Sequence, residues 1–367
     1  MKSLDRYLKL VFLAFIFPCY GQNYFVEKYR EDLQVNKYYN KDKIALFSKS
    51  NNAYNFMALG YYINSNNLMF LSTNDENYLL DNLSVLKPIL IDKGANNYMD
   101  DNWKMNVSKD NQNFKVNGQE HIVSEGYFFR YVGEFLDIII SKNLYYNFQN
   151  SIHEGLIYSF EKWKNRSIEK FGDYSFLYHQ RLHIGANWAM VALYLQKYNR
   201  KETKDYKFFI DQFDLQLKKA LQLKSKNGLK YYVWNSTYPD KFCVGLMKKK
   251  IYLPVVQDVS HGNHIVLYLL KARELGNPNW TAFNFEYLVN TFKLNVLKTN
   301  RISDRVDGTS EKLNTGWRIS DGWMKLIYLD NSLFIIAKDN LEKYQSKIKN
   351  SSLESQFNAI YHDFTYN

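Results

Sequence analysis

The chain has 367 residues, with 48 Lys and Arg against 37 Asp and Glu, a formal charge of +11, only five prolines and two cysteines. Two cysteines exclude a disulfide framework, and scattered basic residues argue for attraction to polyanions rather than for a dense nucleic-acid-binding arm. No stretch after the N-terminus is long and apolar enough to span a membrane, since the best one, Phe135, Leu136, Ile138, Ile139 and Ile140, is broken by Glu134, Asp137 and Lys142.

Residues 1–21 read as a cleavable export signal. Lys2, Arg6 and Lys9 precede the apolar run Leu10–Phe17, and Cys19 and Gly21 are the small residues ahead of a cleavage before Gln22. Lipidation of Cys19 is the competing reading, and Pro18 stands against it. Removing the signal leaves residues 22–367, with a charge of +9, as one expected domain that is secreted or periplasmic. Export disfavours nucleic acid as a partner and points to an acidic polysaccharide or oligosaccharide. Cys243 is then a lone thiol, expected to be buried. The sequence leaves the oligomeric state open.

In chain order, apolar residues at helical spacing predict helices over 53–70, 76–93, 123–143, 147–165, 181–199, 205–223, 259–275, 280–298, 317–328 and 331–346. Pro88 should kink or end the second of these. Start signals include Ser72-Thr73-Asn74-Asp75, Asp258 or Ser260, and Asn279; Gly276-Asn277-Pro278 is a stop. The helices fall into pairs joined by short turns, with no tetratricopeptide period. This pattern predicts a mainly α-helical α/α toroid, complete or incomplete, of about five to seven hairpins. Segments 94–122, 224–258 and 299–316 would form loops over one end, with strand-like stretches at Tyr231–Trp234 and Asn113–Val116.

Four clusters carry chemistry. Gln257-Asp258-Val259-Ser260-His261-Gly262-Asn263-His264 opens a helix, and His261 and His264, three apart, share its face; Asp258 is also a natural N-cap. Tyr178-His179-Gln180-Arg181-Leu182-His183 leads into a helix on which Asn187 stands four residues after His183, next to Trp188. Ser124-Glu125-Gly126-Tyr127-Phe128-Phe129-Arg130 starts another, where Glu125 also suits a first-turn dipole partner. Arg305-Val306-Asp307-Gly308 and Gly316-Trp317-Arg318-Ile319-Ser320-Asp321 combine tryptophan, which stacks on sugars, with arginine, which clamps carboxylates. Packing of Arg318 on Trp317 is the plainer reading of the last. A zinc site from His261, His264 and Asp258 lacks the His-Glu-x-x-His spacing.

Together with Asn187-Trp188, the strand-like Gly228–Trp234, and the segments around Gln257–Gly262, Arg305–Gly308 and Gly316-Trp317, this succession resembles secreted α/α-toroid polysaccharide lyases. Alginate and glucuronan lyases and the related uronosyl epimerases are among these relatives, and the likeness covers roughly residues 50–345. It departs from the alginate-lyase pattern in lacking an Asn-Asn-His run and that family's Tyr-rich motif. The resemblance implies β-elimination of a uronate polymer without metal or cofactor. It needs carboxylate neutralisation, a base for the C5 proton and an acid for the leaving oxygen. Asn187 with His261 or Arg305 would neutralise; His183 or Tyr232 would transfer protons. Trp188, Trp234, Trp317, His264, Glu125, Tyr127, Arg181 and Arg318 would bind sugar. The alternatives are an inverting glycoside hydrolase using Glu125 with Asp258 or Asp321, about 6.5–9.5 Å apart, an epimerase, and a non-catalytic glycan-binding protein.

Overall fold

A computed structural model describes residues 24–37, 39–92, 103–106, 117–199, 203–240, 242–243, 253–298, 301–310, 315–349 and 351–366. The expected export signal, the expected strand at Asn113–Val116 and the run Lys248-Lys249-Lys250 lie outside the described residues. Helices dominate, with two antiparallel two-stranded sheets among the described residues. No helix among them is long and apolar enough to cross a membrane.

The elements are α1 (24–35), α2 (Lys41–Ser48), α3 (Phe56–Thr73), α4 (Asn77–Leu86), α5 (Ile122–Ser141), α6 (Tyr146–Phe171), α7 (Leu182–Tyr198) and α8 (Thr203–Ala220). The hairpin β1 (Gln222–Lys226) and β2 (Leu229–Val233) follows. Then come α9 (Val259–Glu274), α10 (Glu286–Thr291), β3 (Leu297–Lys298), β4 (Arg301–Ile302), α11 (Asp321–Met324), α12 (Ser332–Lys343) and α13 (Ser352–Tyr366). Pro88 ends α4 as regular helix, and the chain widens into a π turn, Lys87–Ile91, closed by Asp92 N–H donating to the Lys87 carbonyl at 2.9 Å.

Alternate helices carry the core. α3 packs on α5, α5 on α7, α7 on α9, α9 on α11, α11 on α13, and α13 returns to α3. The helices between them lie outside: α4 covers α3, α6 covers α5 and α7, and α8 covers α7. Buried apolar side chains from Tyr29 to Tyr361 form one continuous cluster. Close approach of the inner helices depends on glycine at two points. A Cβ on Gly60 would come within 2.8 Å of the Tyr127 carbonyl, and one on Gly322 within 2.0 Å of the Asn263 carbonyl. α1 bridges the return of α13 to α3: Tyr29 donates to Asn66 Oδ1 at 2.6 Å, and Asn358 donates to Asp32.

The outer helices are pinned by buried polar anchors. The Asp214 carboxylate on α8 accepts from Tyr268 Oη at 2.5 Å, Trp280 Nε1 at 2.7 Å, Asn277 Nδ2 at 2.9 Å and Asn279 Nδ2 at 3.0 Å. One side chain thereby ties α8, α9 and the 277–280 turn together.

Several expected boundaries move. The helix expected over 205–223 stops at Ala220, because residues from Gln222 pair with β2 through Asn227-Gly228, whose φ values of 51° and 79° are those of a type I′ turn. The helix expected from 280 starts at Glu286, since Trp280 is drawn into the Asp214 cluster and Asn284 Oδ1 accepts from Glu286 N–H at 3.0 Å. α1, α2 and α13 were not among the expected helices. Cys243 is buried, its thiol donating to the His179 carbonyl at 3.1 Å and pushed up in pKa by burial.

Candidate functional site

Four inner helices each contribute their sixth residue to one cluster: Tyr61 from α3, Tyr127 from α5, Asn187 from α7 and His264 from α9. His183 and His261 come from the first turns of α7 and α9, and Asp321 opens α11. The N-terminal ends of these helices therefore meet at one end of the molecule, where their dipoles favour an anion.

Arg130 is the hub. It stands three residues after Tyr127, on the same face of α5, and is fully buried. Its Nη1 donates to Asn187 Oδ1 at 2.7 Å and to His264 Nδ1, and its Nη2 donates to Tyr131 Oη at 2.5 Å. Tyr131 in turn donates to Asp321 Oδ2 at 2.7 Å. Half-buried Tyr61 is within hydrogen-bonding reach of Ser320 and Arg130, and burial pushes its phenol up to about 12 although Arg130 pulls the other way.

A tautomer follows from these contacts. Guanidinium can only donate, so His264 Nδ1 must accept, and the ring proton sits on Nε2. That Nε2 lies 2.5 Å from Tyr127 Oη. The Tyr127 oxygen thus accepts from His264, and its own proton is free for another acceptor. Burial, and then the Arg130 charge, hold the His264 pKa well below the usual range, so the ring stays neutral.

His261 is the solvent-facing member, with nearly half of its side chain exposed. Both Asp258 oxygens lie 2.9 Å from its Nδ1, and Asp258 also accepts from the His261 backbone N–H at 3.0 Å as the N-cap of α9. Burial would raise the Asp258 carboxyl, but hydrogen bonds from the His261 ring and backbone hold it well below its ordinary value. An ionised Asp258 keeps a proton on His261 Nδ1 and leaves Nε2 as the available base. The His183 ring stacks on His261 at 4.2 Å between centroids and is kept neutral by burial and then by His261 itself. His183 Nδ1 and Asn187 Nδ2 are buried without a hydrogen-bond partner.

Thus His183, Asn187, His261, His264 and Tyr127 come together, while other expected residues do not. Glu125 is buried on the opposite side of α5, accepting from Ser159 Oγ at 2.7 Å, Lys162 Nζ at 2.8 Å and Trp163 Nε1 at 3.0 Å. Two residues from Tyr127 is about 200° of helix, so the pair cannot share a face. Trp188 and Trp234 are fully buried and offer no surface to a sugar, Trp188 donating to the Ile122 carbonyl and Trp234 stacking on Trp323. Tyr232 packs on Phe283 and Tyr287 beside α10, held by Thr291 rather than by any of the histidines. Arg305 donates to the Val256 carbonyl, at 2.5 Å, and its backbone pairs with Asp258, which makes it a clamp on the loop that delivers α9. Arg181 donates to Ser236 Oγ at 3.0 Å, and its charge still reaches His183 two residues on.

Of the seven tryptophans only half-buried Trp317 reaches the surface, with exposed Arg318 over its ring at 5.2 Å. The Arg318 carbonyl accepts from Asn263 Nδ2 at 3.1 Å, which joins this pair to the helix bearing His264. Both nitrogens of His264 are engaged by Arg130 and Tyr127, so the zinc set of His261, His264 and Asp258 does not fit. Sequence reasoning passed over Tyr131 and Tyr61, and it quoted Arg130 at the end of the Ser124–Arg130 cluster without giving it a role. The available signal was the one arginine of α5, three residues after Tyr127 and therefore on its face.

Compared with protein-family models, curated proteins and solved structures, the chain matches none.

Proposed function

We propose that this chain is an exported polysaccharide lyase, secreted or periplasmic, that cleaves a uronate-containing polysaccharide by β-elimination on an α/α toroid. The observation that carries this reading is the joined pair of proton-handling units at one end of the inner helices. One is the Asp258–His261 dyad open to solvent; the other is the Arg130–His264–Tyr127 relay behind it. The closed succession of inner-helix contacts supports the toroid.

In this scheme His261 Nε2 takes the C5 proton, and Asp258 holds the ring in the required tautomer and stabilises the imidazolium. Neutral His183 lets the stacked His261 acquire charge without a second cation beside it. The C5–H electron pair becomes the C4–C5 double bond as the C4–O4 bond breaks. Tyr127 gives its free proton to the leaving oxygen, and the resulting phenolate is stabilised by His264 Nε2–H with Arg130 behind it. The helix N-termini and the Arg130 charge counter the uronate carboxylate. Asn187 positions the guanidinium. A hydrolase is disfavoured because Glu125 is committed to Ser159, Lys162 and Trp163, Asp258 to His261, and Asp321 to Tyr131 and Ser320.

The test is incubation of the exported chain with alginate, glucuronan, polygalacturonate and heparin while ultraviolet absorbance reports unsaturated uronide. The scheme expects a rise that His261→Ala abolishes. Chain cleavage without ultraviolet-absorbing product, or no cleavage of any member, would overturn it.

A further inference from the structure

Lys298 and Arg301 are directly opposite each other in the β3–β4 pair, and like charges in that relation repel. The sequence relieves the conflict only in part. Arg301 and Lys226 are exposed and form no ion pair among the described residues. The Lys298 ammonium is turned back onto the Leu294 carbonyl at 2.7 Å and faces Gly308 of the Arg305–Gly308 turn, where a Cβ would come within 2.9 Å of it. Burial, followed by Lys226 and Arg301, lowers the Lys298 pKa, so Lys226 of the first hairpin lies within the same field. Asp307 opposes that field while its Oδ1 also accepts from the Thr309 N–H at 3.0 Å and hydroxyl at 2.7 Å, so a single carboxylate faces three cations.

This basic edge adjoins the site. Arg305 is four residues on from Arg301, a reach of at most about 14 Å, and the Arg305 backbone pairs with Asp258. The Arg305–Gly308 turn therefore has the histidine dyad on one side and Lys298 on the other.

We propose that Lys226, Lys298 and Arg301 form a docking edge for the carboxylates of an acidic polysaccharide strand, continuing past the Arg305 turn from the sugar at His261. This rests on the reading of the site as one for polyuronate, and it adds that the substrate is a polymer held several sugars away from the bond broken. The bound polyanion adds counter-charge to an edge where one carboxylate, that of Asp307, faces three cations.

The experiment is affinity electrophoresis of the full exported chain and of Lys226→Gln/Arg301→Gln in gels containing alginate or heparin, at low and at high salt. Both residues are exposed and outside the proposed catalytic groups. Loss of two exposed charge contacts should weaken polymer binding roughly three- to tenfold at low salt and flatten its salt dependence. Lys226→Arg/Arg301→Lys should bind as the parent does, which separates charge from folding. Unchanged retardation of the Gln variant, or no retardation of the parent by either polymer, overturns the docking edge. Retardation lost in the Gln variant without unsaturated product from the parent supports the edge while sinking the lyase reading. If cleavage occurs, the Gln variant should raise KM for long chains several-fold and leave kcat and short-oligomer cleavage unchanged.

Discussion

Asp258 accepts from both the backbone and the ring of His261, so one carboxylate caps α9 and selects a tautomer. The two roles separate on substitution by asparagine. Asn is as good an N-cap as Asp, so Asp258→Asn should leave the melting temperature nearly unchanged. Its amide, however, can donate to His261 Nδ1 and shift the ring proton to Nε2, removing the base. Loss of general base function corresponds to roughly 10²–10⁴-fold in kcat, with little change in KM. Steady-state kinetics beside a thermal melt check this, and an unimpaired kcat would remove His261 as the base. The histidines and Asn187 were legible because polar side chains stood at i, i+3 and i+4 spacing where an apolar helix was expected. The role of Arg130 was not, since it lies in contacts to α7 and α9, distant in sequence. Glu125 misled because nearness in sequence to Tyr127 was read without helical phase. The tryptophans misled because the same ring that stacks on sugars also fills cores, and only the fold decides which.

At the scale of elements, the strongly periodic helices α3, α5, α7 and α9 were readable within a few residues, and for α9 the capping residue, Asp258, was legible as well. α1 and α13 were not, because each buries its face largely against the other and against α3, a partnership no local window contains. Their seam also carries a titratable group. Asp32 is almost fully buried, and burial followed by the nearby Glu354 raises its pKa to about 7, despite Lys28 and Asn358. A carboxyl with a raised folded-state pKa contributes stability that is complete below the unfolded value, about 3.9, and is lost as pH rises through 7. Between pH 4 and 7 this linkage should remove up to roughly 4 kcal/mol, reduced by the water that reaches Lys28. Asp32→Asn keeps an acceptor for Asn358 and should flatten this decline, so that the variant is the more stable protein at pH 8. Urea unfolding from pH 4 to 8 measures it, and parallel curves for the two proteins would show that Asp32 ionises without penalty.

The whole molecule is organised by a succession of inner helices that returns on itself, and that closure needs something to hold the far end as the site occupies the near one. Glu134 of α5 and Lys271 of α9 meet at 2.6 Å although α7 lies between their helices in the succession, so the pair reaches across the interior. Burial works against ionisation of Glu134, yet Lys271 and Lys325 bring it down to about 2. Breaking a buried pair on one side strands the other charge and costs about 3–5 kcal/mol, whereas replacing both members is often nearly neutral. Lys271→Met leaves Glu134 with only the Lys325 ammonium, 3.9 Å away, and should destabilise by up to about that amount, and Lys271→Met/Glu134→Gln should recover most of it. Seven residues along α9 separate Lys271 from His264, about 10 Å, so cleavage and polymer binding by the folded variants should match the parent. A single variant that loses less than about 1 kcal/mol in urea unfolding would mean that water or Lys325 takes over the Glu134 charge, and the inner helices would then have to be held here by their apolar contacts alone.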